Sequence, residues 1–386
     1  MNEYGIYGFS DFDSYSNGTR DFLYSLHLTT DNFYLSLGTP EFIISLLGIL
    51  LNIFHLIILT RKAMRTSSIN VFMTGIAICD LFIMIFNCHE RVLEFILFHF
   101  PCTPTSNYTE TMVDLWANVL KEDLRRVSAW LGVAMAFVRL LIMKNSLNPK
   151  YGYLSRPSFG WKSTLVILVL SSILSACYSA KLKITESDLW FPADDCSEYP
   201  ANYTEVEYSF DVDAELLDKA LVVVKVYFFV DAMLKIIPAF VLPILTCFLI
   251  RELKLVDSNR QKITVTSHSS EKHKKDHTTI LVVIITVTFF LSEGPVGIIL
   301  LAQVFLNDKP GFLDTTYALA GILNIFVPIN ATTHCLICIT MSTQYQNCVM
   351  SLFCCRGKSK TVRNATKTPK PRVSSALSVR NVVVEL

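Results

Sequence analysis

Residues 42–60 read FIISLLGILLNIFHLIILT, and Arg61-Lys62-Ala63-Met64-Arg65 follows at once. No charged side chain falls between Phe42 and Thr60. A hydrocarbon core of roughly 30 Å needs about 20 mostly apolar residues in helical form. This stretch is long enough to cross once and stops at a basic cluster. A barrel strand needs only about 10 residues with strict apolar alternation, which is absent. Lipid offers no partner to free backbone N–H and C=O groups, so the segment is read as a helix.

Six more blocks of this kind follow. They run from Ile69 to Cys88, Trp116 to Met143, Ser163 to Ala180, Leu221 to Ile250, Thr278 to Phe305 and Tyr317 to Met341. The outer halves of the third and fifth carry charges. Over 386 residues, 52% are hydrophobic and 17% charged, and the charges lie between the apolar blocks. A soluble chain carries about a quarter charged residues, so the composition indicates a polytopic membrane protein. The first forty residues lack the basic and apolar regions of a secretory leader, and the first block is expected to act as a signal anchor.

Lys and Arg collect in alternate connections: Arg61, Lys62 and Arg65; Lys144, Lys150, Arg156 and Lys162; Arg251 to Lys275; and Arg356 onward. The positive-inside rule makes these cytoplasmic and the amino terminus extracellular. N-x-[ST] sequons at Asn17, Asn107 and Asn202 fall one in each of three outer segments, an independent sign of the same topology. The expected architecture is an all-α, seven-transmembrane bundle. Residues 1–41 form a glycosylated extracellular segment and 42–343 the seven-transmembrane domain. An amphipathic juxtamembrane helix spans 344–355, and 356–386 form a basic, Ser/Thr-rich cytoplasmic tail without apolar period. Cys354 and Cys355 are palmitoylation candidates that would pin the short helix to lipid. The tail offers phosphorylation sites such as Ser359, Thr361, Thr366 and Thr368, and Val384-Glu385-Leu386 has the form of a PDZ ligand.

Ionisable groups inside spans are costly and mark function. Asp80 is mid-span in the second block and Asn52 in the first. They could satisfy each other with a water or Na⁺, or form a static polar contact. Glu293 stands two residues before Pro295, which removes a backbone hydrogen bond and should kink the sixth span. Glu293 needs a partner, for which His334 is a candidate, or must be protonated. Arg139 at the inner end of the third span reads, alone, as a snorkelling anchor. Roughly 20 Å further out on the same helix stands Arg126, in a cluster with Lys121, Glu122, Asp123 and Arg125. Asp231 and Lys235 in the fifth span complete a ligand-pocket candidate, against the plainer reading of exposed i,i+4 pairs.

The segment before the fifth span is acidic, with Glu186, Asp188, Asp194, Asp195, Glu198, Glu205, Glu207, Asp211 and Asp213 among its carboxylates. Such a vestibule would steer a cationic ligand. Cys102 and Cys196 are the two of eleven cysteines in clearly outer loops, where oxidation favours a bridge; Cys88 competes for either partner. No metal-ligand spacing, nucleotide loop or hydrolase motif occurs, so neither an enzyme nor a cofactor protein is indicated, and nothing suggests nucleic-acid binding. A transporter would be expected to show repeats and broken helices. The surviving rival of another class is a proton-coupled transporter relaying through Asp80, Glu293 and His334.

Several strings carry a family likeness: Gly48-x-x-x-Asn52; Arg61-Lys62-x-Met64-Arg65-Thr66-Ser67-Ser68-x-Asn70; Asp80; and Arg125-Arg126-x-Ser128-x-Trp130-Leu131-Gly132 continuing to Met135-Ala136-x-x-Arg139. Phe290-Leu291-Ser292-Glu293-x-Pro295 and Met341-Ser342-x-Gln344-Tyr345 extend it. Over about Pro40 to Cys355 the chain resembles rhodopsin-like G-protein-coupled receptors. Within them it is most similar to the nematode serpentine receptors of class W and the FMRFamide-type neuropeptide receptors.

The resemblance implies a plasma-membrane receptor for an extracellular peptide or small molecule, coupled to a heterotrimeric G protein and open to arrestin. It implies that Arg139 is the coupling arginine, Asp80 the sodium-site aspartate, Cys102–Cys196 the outer bridge, and Asn330 to Cys338 the seventh-helix switch. The chain departs from the wider pattern in Val138 and Leu140 flanking that arginine, in His334 and Cys338 at the switch, and in Glu293 where a tryptophan is usual. Asp114 stands where the third-helix cysteine is expected.

Overall fold

The computed structural model describes residues 15–100, 102–104, 107–145, 148–192, 195–200, 202–212, 214–263, 270–306, 310–341 and 343–353. The expectations for Cys354, Cys355, Asp194, Asp213 and the tail from 356, including its phosphorylation and PDZ motifs, lie outside the described residues.

Seven helical segments are long and apolar enough to cross a membrane. They are α1 (Asn17–Leu59), α2 (Ser68–His99), α3 (Tyr108–Lys144), α4 (Pro157–Ser179), α5 (Ala214–Ile263), α6 (Ser270–Leu306), and the pair α7 (Pro310–Asn324) and α8 (Phe326–Met341). α9 (Thr343–Phe353) follows as the short amphipathic helix expected after the last span. The starts obey local rules. Asn107 caps α3 by accepting from the amides of Thr109 and Glu110, while Glu110 reaches back to the Asn107 amide. Pro157 opens α4, where its missing N–H costs nothing.

Several helices run past their expected ends, α2 to His99 and α5 to Ile263 among them, and three differences shape the outer face. α1 begins at Asn17, twenty-five residues before Phe42, so residues 17–41 are helical. At 1.5 Å per residue the helix is about 60 Å long, twice the hydrocarbon thickness. Tertiary contacts hold the added turns: Tyr34 packs where a Cβ on Gly321 of α7 would clash, and Glu41 pairs with Arg91 of α2 at 2.9 Å. The seventh span is interrupted at Ile325. Pro328 explains this, because it offers no N–H to the Asn324 carbonyl four residues earlier. The acidic outer segment, read as a loop, contains a hairpin. β1 (Leu182–Trp190) pairs antiparallel with β2 (Glu205–Val212), from Leu182 opposite Val212 to Trp190 opposite Glu205.

The hairpin is fixed to α3. Cys102 and Cys196 are bonded, while Cys88 is a free thiol. The Tyr199 hydroxyl donates to the Cys102 carbonyl at 3.0 Å, and Thr111 donates to the Tyr208 carbonyl at 3.1 Å. Inside, apolar side chains form separate layers. Phe72, Ile76, Val127 and Leu131 join α2 to α3; Ala129, Val133, Leu242 and Phe289 join α3, α5 and α6. Gly160 lets α4 touch α2, since a Cβ there would lie 2.9 Å from Val71 and 3.0 Å from the Ser68 backbone. Exposed Leu46, Leu50, Leu165 and Leu170 are the faces that lipid covers.

Candidate ligand cavity and helix-coupling network

α3 threads three polar layers, each completed by side chains from other helices.

The outermost layer surrounds a cavity of about 400 Å³ between α1, α2, α3 and α7. Lys121, Glu122 and Arg125 line it from α3, as expected. Arg126, Asp231 and Lys235 do not line it but stand behind, between α3, α4 and α5. The opposite wall comes from residues outside the sequence-derived site: Tyr34, Glu41, Glu90, Arg91 and Glu94. Arg91 binds Glu41 and Glu94 at 2.9 and 2.6 Å, and Lys121 binds Glu90 at 2.5 Å. The signal for this wall was the i,i+3 spacing of Arg91 and Glu94, which carries the helix past Cys88. Asp114 faces the cavity, with His89 Nδ1 at 3.8 Å from its carboxylate. The cavity lining holds the carboxylates Glu41, Glu90, Glu94, Asp114 and Glu122 against the cations Arg91, Lys121 and Arg125.

Beneath the rim runs a chain of alternating charge. Arg126 pairs with Asp231 at 2.5 Å, Asp231 with Lys235 at 3.2 Å, and Lys235 with Glu122 at 2.7 Å. Glu122 lies 4.0 Å from Arg125, whose Nε donates to both Glu293 carboxylate oxygens at 2.9 and 3.1 Å. Arg125 also donates to the Asn324 side chain and to the Ser292 carbonyl, each at 3.0 Å. The partner of Glu293 is therefore Arg125, not His334. Arg125 is 6% exposed and Glu293 5%, so the pair is a buried one with every carboxylate oxygen engaged. Its lost solvation is offset only by such complete pairing. Asp123, in the same charged run of α3, accepts from Ser171 and Ser172 and fixes α4 to α3.

The middle layer centres on Asp80. Its Oδ1 accepts from Ser128 and its Oδ2 meets His334 Nδ1, both at 2.9 Å. Asn52 does not bond to Asp80; its amide donates to the carbonyls of Gly48 and Ala331 at 3.1 and 3.5 Å. Asn330 accepts from Thr288 of α6 at 3.1 Å. The three acceptors proposed for a proton relay are thus divided: His334 joins Asp80, and Glu293 joins Arg125.

The inner layer holds Arg139. Its Nη2 lies 3.9 Å from Met73 Sδ, and among the described residues it forms no ion pair, in keeping with Val138 standing beside it. Nearby, His55 Nδ1 meets the hydroxyl of fully buried Tyr345 at 2.8 Å, and Gln344 donates to the Ala63 carbonyl at 2.5 Å. These contacts seat α9 against the inner end of α1. Burial pushes the Tyr345 phenol pKa up.

At the outer ends of α4 and α5, Lys181 is 7% exposed. Its ammonium sits 3.4 Å from the Tyr227 ring centre and within 5.6 Å of Tyr178 and Phe228. Burial lowers its pKa to about 8.

Of the glycosylation candidates, Asn17 is the first residue of α1, Asn107 the cap of α3, and Asn202 a turn residue with φ of 68°.

Residues 39–356 match the family model described as serpentine type 7TM GPCR chemoreceptor Srw. The chain is also similar to the G-protein coupled receptor dmsr-1 of Caenorhabditis elegans, 25% identical over 249 residues. That alignment covers 63% of this chain and 48% of the relative, so it spans about half of the relative's length.

Proposed function

The chain belongs to the serpentine seven-transmembrane G-protein-coupled chemoreceptor family Srw, and from that premise we propose a receptor for a short cationic peptide of the FMRFamide type, received in the outer cavity and read out by a heterotrimeric G protein at Arg139. The family is one of multi-pass receptors, not of enzymes.

One observation carries the reading. Arg125 lines the outer cavity and also grips Glu293 and the Ser292 carbonyl, two and three residues before Pro295. A ligand group that draws on Arg125, Glu122 or Asn324 therefore competes for the side chains that tie α6 to α3. Loosening that tie at a proline lets the inner half of α6 swing from Arg139. Binding then shifts a population, provided the ligand prefers the loosened state. The cationic preference rests on the rim, where carboxylates outnumber cations, and on the acidic hairpin above it.

A small environmental molecule is the second reading, and the cavity size favours it. About 400 Å³ lies in the lower part of the range for small-ligand pockets, so it accepts one compact molecule or a few peptide side chains.

The test is nucleotide exchange on a panel of purified G proteins, with the receptor in lipid and an amidated peptide library added, comparing wild type with Arg139→Ala. Peptide-dependent exchange that drops in the variant is the expected result. Basal exchange sensitive to Arg139 but silent to every peptide moves the ligand to small molecules. Folded receptor with no exchange at all, but with substrate uptake, overturns the reading in favour of transport.

A further inference from the structure

The family likeness implies a sodium ion at Asp80, and the residues around Asp80 do not fit one. The Ser128 hydroxyl donates to Oδ1 and the His334 imidazole Nδ1 stands against Oδ2, both at 2.9 Å. Each oxygen that would bind a hard cation therefore already has a protein partner. The His334 ring stands where the cation would lie, and a nitrogen ligand suits transition metals rather than ions that bind oxygen.

The neighbouring amides do not repair the site. Asn52 turns its nitrogen to Gly48 and Ala331. Asn330 Oδ1 is engaged by Thr288. Asn52 Oδ1, fully buried, is an acceptor without a protein donor among the described residues, which suffices for a water and not for a coordination shell.

We infer that this receptor is insensitive to sodium at its core, because the His334 imidazole replaces the ion as the partner of Asp80. The charge of α2 is met from within the chain, by α3 and α8, and the three helices are joined without an exchangeable ion. The inference does not depend on the ligand or on the G protein, and its test reads neither.

Purified full-length receptor in nanodiscs is unfolded thermally in NaCl, KCl and choline chloride at equal ionic strength. Wild type is expected to give one Tm in all three salts. His334→Asn exchanges the imidazole for an amide oxygen and is expected to gain several degrees in NaCl over KCl. Adding Asp80→Asn to it should abolish the gain. A sodium-specific rise in wild type that Asp80→Asn removes overturns the inference. So does a folded His334→Asn receptor with no sodium response, because closure would then not come from His334. Should that variant fail to fold, ²³Na line broadening by wild type against Asp80→Asn decides: equal widths support the inference, and excess broadening by wild type overturns it.

Discussion

Arg125 and Glu293 meet through Nε and both carboxylate oxygens, at 2.9 and 3.1 Å, joining α3 to α6 two residues short of Pro295. The contact is made by long side chains reaching between helices, so α6 is held at this depth by a bond that can be exchanged. Glu293→Gln keeps the shape and loses the charge, and basal nucleotide exchange is expected to rise several-fold. Arg125→Ala strands a buried carboxylate, at a cost of about 3–5 kcal/mol, and should appear as lost folded receptor on size exclusion. The double reversal Arg125→Glu with Glu293→Arg should recover part of the yield, which a purely steric defect would not allow.

The hairpin's tether predicts a second outcome. Cys102 and Cys196 close a loop between positions 94 residues apart, and such a bridge contributes about 2–4 kcal/mol, mainly by restricting the unfolded chain. Cys102→Ser, Cys196→Ser and the double variant should therefore show the same loss of Tm. Unequal losses would point to Cys88 exchanging into the bridge.

Asn107 carries two separable roles. The cap uses Oδ1, while a glycan would attach through Nδ2. Thr109→Ala should abolish a glycosidase-sensitive mobility shift with Tm nearly unchanged. Asn107→Asp should do the same, because aspartate caps as well. Asn107→Ala should lose the shift and about 1 kcal/mol of stability.

Lys181 gives the receptor a pH dependence above neutrality. Its ammonium sits against the Tyr227 ring, and burial lowers its pKa to about 8 from an ordinary value near 10.5. Between those values the unfolded chain binds more protons than the folded one, so stability rises with pH. The gain is complete above the unfolded pKa and is lost as pH falls through about 8. Thermal unfolding from pH 7 to 10.5 should show this rise in wild type, and Lys181→Met should flatten it.

A deletion of residues 15–33 tests whether the outer turns of α1 are structural. Tyr34, Glu41 and Arg91 remain, so the clamp at 2.9 Å between Glu41 and Arg91 is expected to keep the cavity wall. Folded yield and peptide response should be retained. Tyr34→Ala, which removes the hydroxyl bound to Arg91 at 3.0 Å, should weaken the response instead.

What the sequence determined by itself was the number and direction of crossings, and the reason is solvent. Lipid demands about 20 apolar residues per span and internal backbone bonds, while lysine and arginine stay on one side; these are properties of segments, legible block by block as at Phe42–Thr60. Single polar residues in apolar runs, such as Asp80, Glu293 and His334, were also visible, because each is costly wherever its partner lies.

The tertiary structure alone decided the partners. Arg125 meets Glu293 across 168 positions and His334 meets Asp80 across 254, and no local rule selects one acceptor among several at the same depth. Helix rotation and the break at Ile325 made that choice. The same holds for residues 17–41, too polar to be read as a span, which become helix because Tyr34 and Glu41 find α7 and α2.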